Sequence, residues 1–379
     1  MMGGMREARS SPPPLEGLGR EADQGWGEGF VPPEALVPPG PLPPTSVRFA
    51  AQAHKGRGRI LSVPVRTLPA LAVLLCALLG ASLLVGDGIL ALPDQLILLQ
   101  IRLPRTLLAA LVGGGLGLSG AVLQGALRNP LADPGLLGIT GTAGLGAALV
   151  FYWGLAAQFA PALPLGGLAG ATVGAVCLLA FAGRAPSGPS LILAGVAVSA
   201  LSASLLALAL SLAPNPFALA EITFWLLGGL ADRSLLQVAL AAPPILLGVA
   251  ILLRLGPGLD ALSLGEETAA SLGVPVGRTL CLAAAGTALA AGAGAAVAGG
   301  IGFVGLVVPH LLRPLLGQRP AVLLPASLLA GASLLLTADL LVRLAPLVLP
   351  LSQPLPLGVL TALLGAPFVV AIARRSALP

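Results

Sequence analysis

The sequence predicts an all-α, polytopic transmembrane bundle of about ten spans per subunit, and three observations predict it. Hydrophobic residues make up 56% of the 379 and charged residues only 9%, where a soluble globular chain carries about 25% charged. The mean hydropathy is +0.97. So few charges cannot cover a water-facing surface, and the bilayer must be the main solvent. Glycine numbers 51 and aromatics only 3%. Close-packed membrane helices favour small residues, because lipid gives no hydrophobic push between helices.

Residues 1–60 are a different material. They hold "SPPPLEGLGR", "VPPEALVPPGPLPPT" and six of the fifteen acids. A Pro/Gly-rich, non-periodic stretch cannot bury enough surface to fold, and this one is too polar for a secretory signal. It reads as a disordered cytoplasmic tail, or as an early gene start with the true start near Met5 or beyond. The membrane domain is expected over 61–379.

Ten apolar runs follow, near 67–86, 103–125, 135–154, 163–182, 190–211, 235–254, 279–298, 302–317, 322–343 and 357–373. Crossing a bilayer takes about 20 apolar residues. Segments near 221–230 and 263–273 read as short helices outside the membrane plane. With the N-terminus inside, behind Arg57, Arg59 and Arg66, eight further arginines also fall inside: Arg128, Arg184, Arg254, Arg278, Arg313, Arg319, Arg374 and Arg375. Arg102, Arg105, Arg233 and Arg343 fall outside, with Asp87, Asp94, Glu221 and Asp232. That bias follows the positive-inside rule and puts both termini in the cytoplasm.

Several function classes are excluded. The net charge of +5 is scattered singly between apolar runs, not gathered in a patch for nucleic acid. Cys76, Cys177 and Cys281 stand alone in apolar stretches and read as small core residues. Gly115, Gly117 and Gly120 spell GxGxxG, but mid-span, where a dinucleotide loop cannot form. Gly113 and Gly117 make a GxxxG packing face. A phosphate-binding P-loop needs GxxxxGK, and the only lysine is Lys55. Any ATP chemistry, with its Mg²⁺, must therefore sit on a partner. The two histidines, His54 and His310, cannot build a metal site, so no resident metal or cofactor is expected.

"RNPLADPG", residues 128–135, interrupts the apolar pattern at the expected cytoplasmic edge. Pro130 and Pro134 forbid a continuous helix, and Asn129 and Asp133 are good caps. This is a short, stiff, polar turn, more elaborate than a plain helix hairpin needs. Arg102, Arg105 and Arg343 border the expected outer mouth, where fixed cations attract an acidic docking protein or snorkel to headgroups. "SLGEETAASLGV" between spans six and seven is a soluble-looking island. Glu266 and Glu267 stand early in a short helix whose dipole favours acids, and Gly273 can end it. Pro309 can kink its span. His310 has no evident polar partner and reads as structural. Asp339 is an intramembrane acid and so a functional candidate, but Arg343 four residues on makes a packing or docking pair the better reading than a proton relay.

The stretch "IRLPRTLLAALVGGGLGLSGAVLQGALRNPLADPGLLGITG" resembles the FecCD-type permeases of ATP-binding-cassette importers, which take up iron–siderophores, haem and vitamin B12. "FWLLGGL" at 224–230, "LSLGEETAASLGVPVGR" at 262–278, "AGGIGFVGLVVPHLLRPLLG" at 298–317, "LPASLLAGASLLLTADLLVRL" and "PLGVLTALLGAPFVVAIARR" continue it in order over about 66–379. Gln124, Pro130, Gly302, Phe303, Gly305, Pro309, His310 and Asp339 are the residues through which these motifs are matched. The sequence departs at Pro354, where the family usually has an acid, and at "GQRP", which replaces an Asp–His–Arg turn.

The resemblance implies a homodimer around a central pathway, two copies of a cytoplasmic ATP-binding-cassette ATPase and one extracytoplasmic substrate-binding protein. It implies that Arg102, Arg105 and Arg343 meet acids of the binding protein. It also implies that Leu264, Gly265, Glu266, Glu267, Ala270, Leu272 and Gly273 form the coupling loop that rests on the ATPase. Asn129 and Leu131 would line the inner gate, faced by the turn Gly188, Pro189 and Ser190. The expected function is the permease of an ATP-driven importer in the bacterial inner membrane, working by alternating access, with cargo held weakly. The alternative is a stand-alone ion-coupled transporter, for which Asp339 and His310 are the available coupling groups.

Overall fold

The computed structural model describes residues 66–86, 94–159, 161–213, 216–349 and 355–377. The expected tail, together with His54, Lys55, Asp87 and Pro354, lies outside them. The described residues fold into helices in the following order. The chain enters α1 (Thr67–Leu84), α2 (Gln95–Ala126), a single turn Pro134–Leu137 and α3 (Ile139–Tyr152). It continues through α4 (Ala162–Ala182), α5 (Gly188–Ser211), α6 (Pro216–Leu226) and α7 (Leu235–Leu253). Two short helices, α8 (Gly256–Leu262) and α9 (Glu266–Ser271), precede α10 (Val276–Ala298), α11 (Val304–Leu316), α12 (Pro320–Leu344) and α13 (Leu357–Ala377).

Seven of these helices are long and apolar enough to cross a membrane, and α3, α11 and the first part of α13 are shorter apolar helices. Together they match the ten expected segments one for one. One boundary differs for a physical reason. The second span begins at Gln95 rather than near 103, because a wide turn at Leu98–Arg102 leads into Pro104, whose missing amide falls where the regular α-helical stretch restarts at Leu103. The short helix expected near 263–273 is α9, Glu266–Ser271, and a further short helix that the sequence reading did not mark, α8, precedes it, with Gly265 at φ +114 between them.

The bundle is built around α2. In its apolar stretch 83% of residues are buried, against 6% in α1. α2 packs on α12, α7, α11 and α10. Glycines permit this. A Cβ on Gly117 would sit 2.5 Å from Ser327 O, one on Gly113 2.5 Å from Gly331 O, and one on Gly120 would overlap the Gly305 backbone. The glycine run that mimics a nucleotide motif is therefore a packing surface on two sides of one helix. Outside this core, Val73, Val173, Val176, Leu193, Leu246 and Leu247 are exposed on α1, α4, α5 and α7. Apolar faces of this extent are covered by lipid or by other subunits.

α11 has 13 residues, about 20 Å of helix, against a hydrocarbon core of about 30 Å. Non-helical backbone at that depth must be satisfied within the protein. At the two ends of the glycine-rich connector 299–303 the backbone is paired inside the protein: Gly299 N–H donates to Ala295 O at 2.8 Å, Phe303 O accepts from Val307 N–H at 2.9 Å, and the adjoining Ala298 O accepts from Gly229 N–H at 2.8 Å.

Gly120→Ala is expected to lose about 1–3 kcal/mol by forcing α2 and α11 apart, seen as a lower melting temperature in detergent. Gly80→Ala, where an added Cβ meets nothing within 4 Å, should leave it unchanged.

Candidate functional site

Polar side chains gather at the two ends of α2. At one end Asp339, 1% exposed, receives Arg105 Nε on Oδ1 at 2.8 Å and Arg343 Nη2 on Oδ2 at 2.6 Å. Arg343 Nη1 also donates to Ser82 O at 2.8 Å and Val85 O at 3.2 Å. Arg102 Nη1 donates to Leu83 O and Leu84 O at 2.9 and 2.8 Å. The last carbonyls of a helix have no partner within it. Here two guanidiniums take those of α1, and the carboxylate of α12 holds the second of them in place. The Ser82 and Thr106 hydroxyls, 2.7 Å apart, close the contact between α1 and α2.

The three arginines expected to meet a binding protein thus have partners within the chain. Arg343 is 5% exposed and works inside the protein. Arg102 and Arg105 line a cavity of about 690 Å³ with Asp232, Asp339, Ile101 and Leu230, while holding internal partners. Both oxygens of Asp339 are engaged by guanidiniums, which is the geometry of a structural pair. Arg233, on the loop beyond α6, is pushed below the usual guanidinium range by burial, and Asp232 opposes the shift.

At the other end the interrupted stretch is a turn locked by its own side chains. Asn129 Oδ1 accepts from Leu131 N–H and Asp133 Oδ1 from Gly135 N–H, both at 2.9 Å. Arg128 has φ +50. Asn129 thus braces the loop rather than capping a helix, while Asp133 caps the turn Pro134–Leu137. That turn leans on α5, where Ser199 Oγ donates to Leu136 O at 3.4 Å. Leu131 and Pro130 are exposed at the tip. The facing turn is closed by a reciprocal cap. Ser190 N–H donates to Ser187 Oγ at 3.4 Å and Ser187 N–H to Ser190 Oγ at 2.9 Å.

Beside the first of these turns lies the motif region of α11. Gln124 Nε2 donates to Gly305 O and Leu306 O at 3.3 and 3.4 Å, and its Oε1 accepts from Arg313 Nη2 at 2.7 Å. Phe303 opens α11 with φ +67 and packs on Gly365, and Gly305 lies against Pro134 and Asp133. A Cβ added to Gly302 would meet nothing within 4 Å, and Pro309 is buried inside the helix. His310 Nδ1 lies 3.5 Å from Arg313 Nη1, so it has the polar partner that the sequence reading did not find. The i,i+3 spacing to Arg313 was the available clue. His310, Gln124, Arg128, Arg313, Arg319 and Asp260 line a cavity of about 1030 Å³ at this end.

The island is exposed on one side. Leu264 and Leu272 are each 63% exposed, and Glu267, Ala270 and Gly273 are exposed with them. Glu266 points inward, and its Oε1 accepts from Gly188 N–H at 3.0 Å. This contact between the island and the facing turn was missed, because the residues are 78 apart. Among the described residues no three His, Cys, Asp or Glu side chains gather. What the arrangement offers is a tightly packed rod with a polar assembly at each end.

A family model described as the FecCD transport family matches residues 67–375. The vitamin B12 import system permease protein of Salmonella paratyphi A is 39% identical over 334 residues, covering 87% of this chain and 99% of that protein. The protein of the same name from Klebsiella pneumoniae is 39% identical over 327 residues, covering 86% and 96%. Among solved structures, an inward-facing conformation of a metal-chelate type ABC transporter has a TM-score of 0.73 and 34% identity, covering 83% of this chain and 99% of that one.

Asp339→Ala would strand Arg343 in the core and is expected to cost about 3–5 kcal/mol, measured as thermal stability in detergent. Asp339→Asn, which keeps acceptor oxygen, should cost less. Burial raises the Asp133 carboxyl above its ordinary value, against the backbone amides of Gly135 and Leu306, which lower it. A raised carboxylate favours the protonated folded state, so its contribution to stability falls as pH rises from the ordinary carboxylate value through the raised one. The melting temperature of the wild type relative to Asp133→Asn should therefore rise as pH is lowered from 7 toward that range.

Proposed function

Since the chain belongs to the FecCD transport family, we propose that it is the permease subunit of an ATP-driven importer for a bulky metal chelate of the cobalamin, haem or iron–siderophore class. The observation that carries this reading is likeness along nearly the whole membrane domain. The relatives named above are vitamin B12 import permeases, and the structural neighbour is of metal-chelate type. A chain without a P-loop leaves ATP and Mg²⁺ to a partner.

In this reading two copies of the chain enclose the pathway in a bacterial inner membrane, with both termini in the cytoplasm. The island end faces inward. Exposed Leu264 and Leu272 on an otherwise polar loop suit burial in a groove of a cytoplasmic ATPase, two copies of which would serve the dimer. The Arg102 and Arg105 end faces outward, toward an extracytoplasmic binding protein. ATP binding and hydrolysis favour alternate arrangements of the bundle, and the turns at 128–135 and 187–190 open and close the inner end. The spans as a whole carry few polar side chains, which suits a cargo that must be released as readily as received.

The test is uptake into vesicles holding this chain with its ATPase and binding protein, offered cyanocobalamin, haem and a ferric hydroxamate siderophore. Uptake of one of them that requires ATP and both partners is expected. Uptake by the chain alone, driven by a proton or sodium gradient, would overturn the importer reading.

A further inference from the structure

We propose that Glu266 is a positioning residue that ties the ATPase-facing island to the inner gate, so that Gly265–Glu266 bears on both gate turns at once; the inference rests on the importer reading above. The first-turn amides of α5 show why this residue matters. A helix leaves its first four N–H groups without partners in the helix. Here Ser187 N–H goes to the Ser190 hydroxyl, Ser190 N–H goes to the Ser187 hydroxyl, and Pro189 has none to give. Gly188 N–H is the donor that local sequence does not satisfy, and it is taken by Glu266 Oε1 at 3.0 Å. The bond joins a carboxylate to the positive end of a 24-residue helix, so charge assistance and the helix dipole both strengthen it.

Glu266 does this in place of serving its own helix. It is the first residue of α9, where an acid ordinarily faces the amides of that helix. The φ of +114 at Gly265 sets the direction of the chain at that point. On the other flank, a Cβ on Gly265 would lie 3.9 Å from Arg128 Nη1, so the guanidinium of the α2–α3 turn lies close to Gly265. The start of α10 supports the arrangement, since a Cβ on Gly277 would be 3.6 Å from Pro186 Cδ, just before the α4–α5 turn. The opposite side of the island, with Leu264, Glu267 and Leu272, is exposed. Force applied to that side reaches the α4–α5 turn across one hydrogen bond, and the α2–α3 turn through the Arg128 guanidinium close to Gly265.

The test is amide hydrogen exchange on the full transporter in lipid nanodiscs, with and without ATP–vanadate, for wild type, Glu266→Ala, Glu266→Gln and Gly188→Pro. This readout needs no cargo. In wild type, nucleotide is expected to change exchange in the island 264–273 and in the turn 187–191. In Glu266→Ala the island response persists, while the response of the turn falls about tenfold, the factor that one charge-assisted bond is worth. Glu266→Gln, which keeps the acceptor oxygen, should retain most of the response. Gly188→Pro deletes the donor at a position where proline is tolerated and should reproduce the loss even if the alanine variant does not assemble.

A turn that responds equally in wild type, Glu266→Ala and Gly188→Pro would overturn the inference and leave the importer reading standing. A glutamine variant as silent as alanine would overturn the hydrogen-bonded strut. A wild-type island silent to nucleotide would overturn the importer reading, and the inference with it.

Discussion

Backbone-to-backbone contact along α2 is the constraint on which the rest of the bundle depends. Gly113, Gly117 and Gly120 bring that helix against Gly331 and Ser327 of α12 and against Gly305 of α11, at distances that admit no side chain. In lipid, apolar helices gain little from burying one another, so such close dispersion contact, with the hydrogen bonds it permits, is what holds them. Once α2 is fixed this way, the positions of its ends are fixed too. It runs 32 residues, about 48 Å, and both polar assemblies hang from it.

The two ends solve different problems with related chemistry. At the Asp339 end the problem is an exposed helix terminus: α1 stops at the edge of the bundle with unpaired carbonyls. Arg102 and Arg343 satisfy them, and Asp339 compensates the buried charge that results. At the Glu266 end the unpaired groups are amides, and an acid satisfies them. Cations meet carbonyls at one end and an anion meets amides at the other, as the helix dipole favours. Near the second end Gln124 ties α2 to α11, donating to carbonyls of α11 and accepting from Arg313 on the same helix. The turn at 128–135 and the start of α11 therefore share one packed region, in which Gly305 lies against Asp133 and Pro134.

Much of this was legible in the sequence, and the parts that were share a cause. The ten apolar segments, the turn at 128–135, the packing glycines and the Asp339–Arg343 pair are all local patterns, readable from composition or from i,i+4 spacing. The His310–Arg313 contact was equally local and was passed over. The boundary that slipped, at Gln95, depends on a wide turn, and the unmarked helix α8 is set off from α9 by the positive φ of Gly265; hydrophobic periodicity reports neither.

By itself, then, the sequence determined the solvent of this protein, the number and order of its apolar helices and its kinship, because each is a property of residue types in order along the chain. Only the tertiary structure decided what the polar residues do. Arg105 reaches Asp339 across 234 residues, Arg343 reaches Ser82 across 261 and Glu266 reaches Gly188 across 78. A charge in a low-dielectric bundle must find a partner wherever packing brings one, and which partner that is follows from how α1, α2, α5 and α12 are stacked.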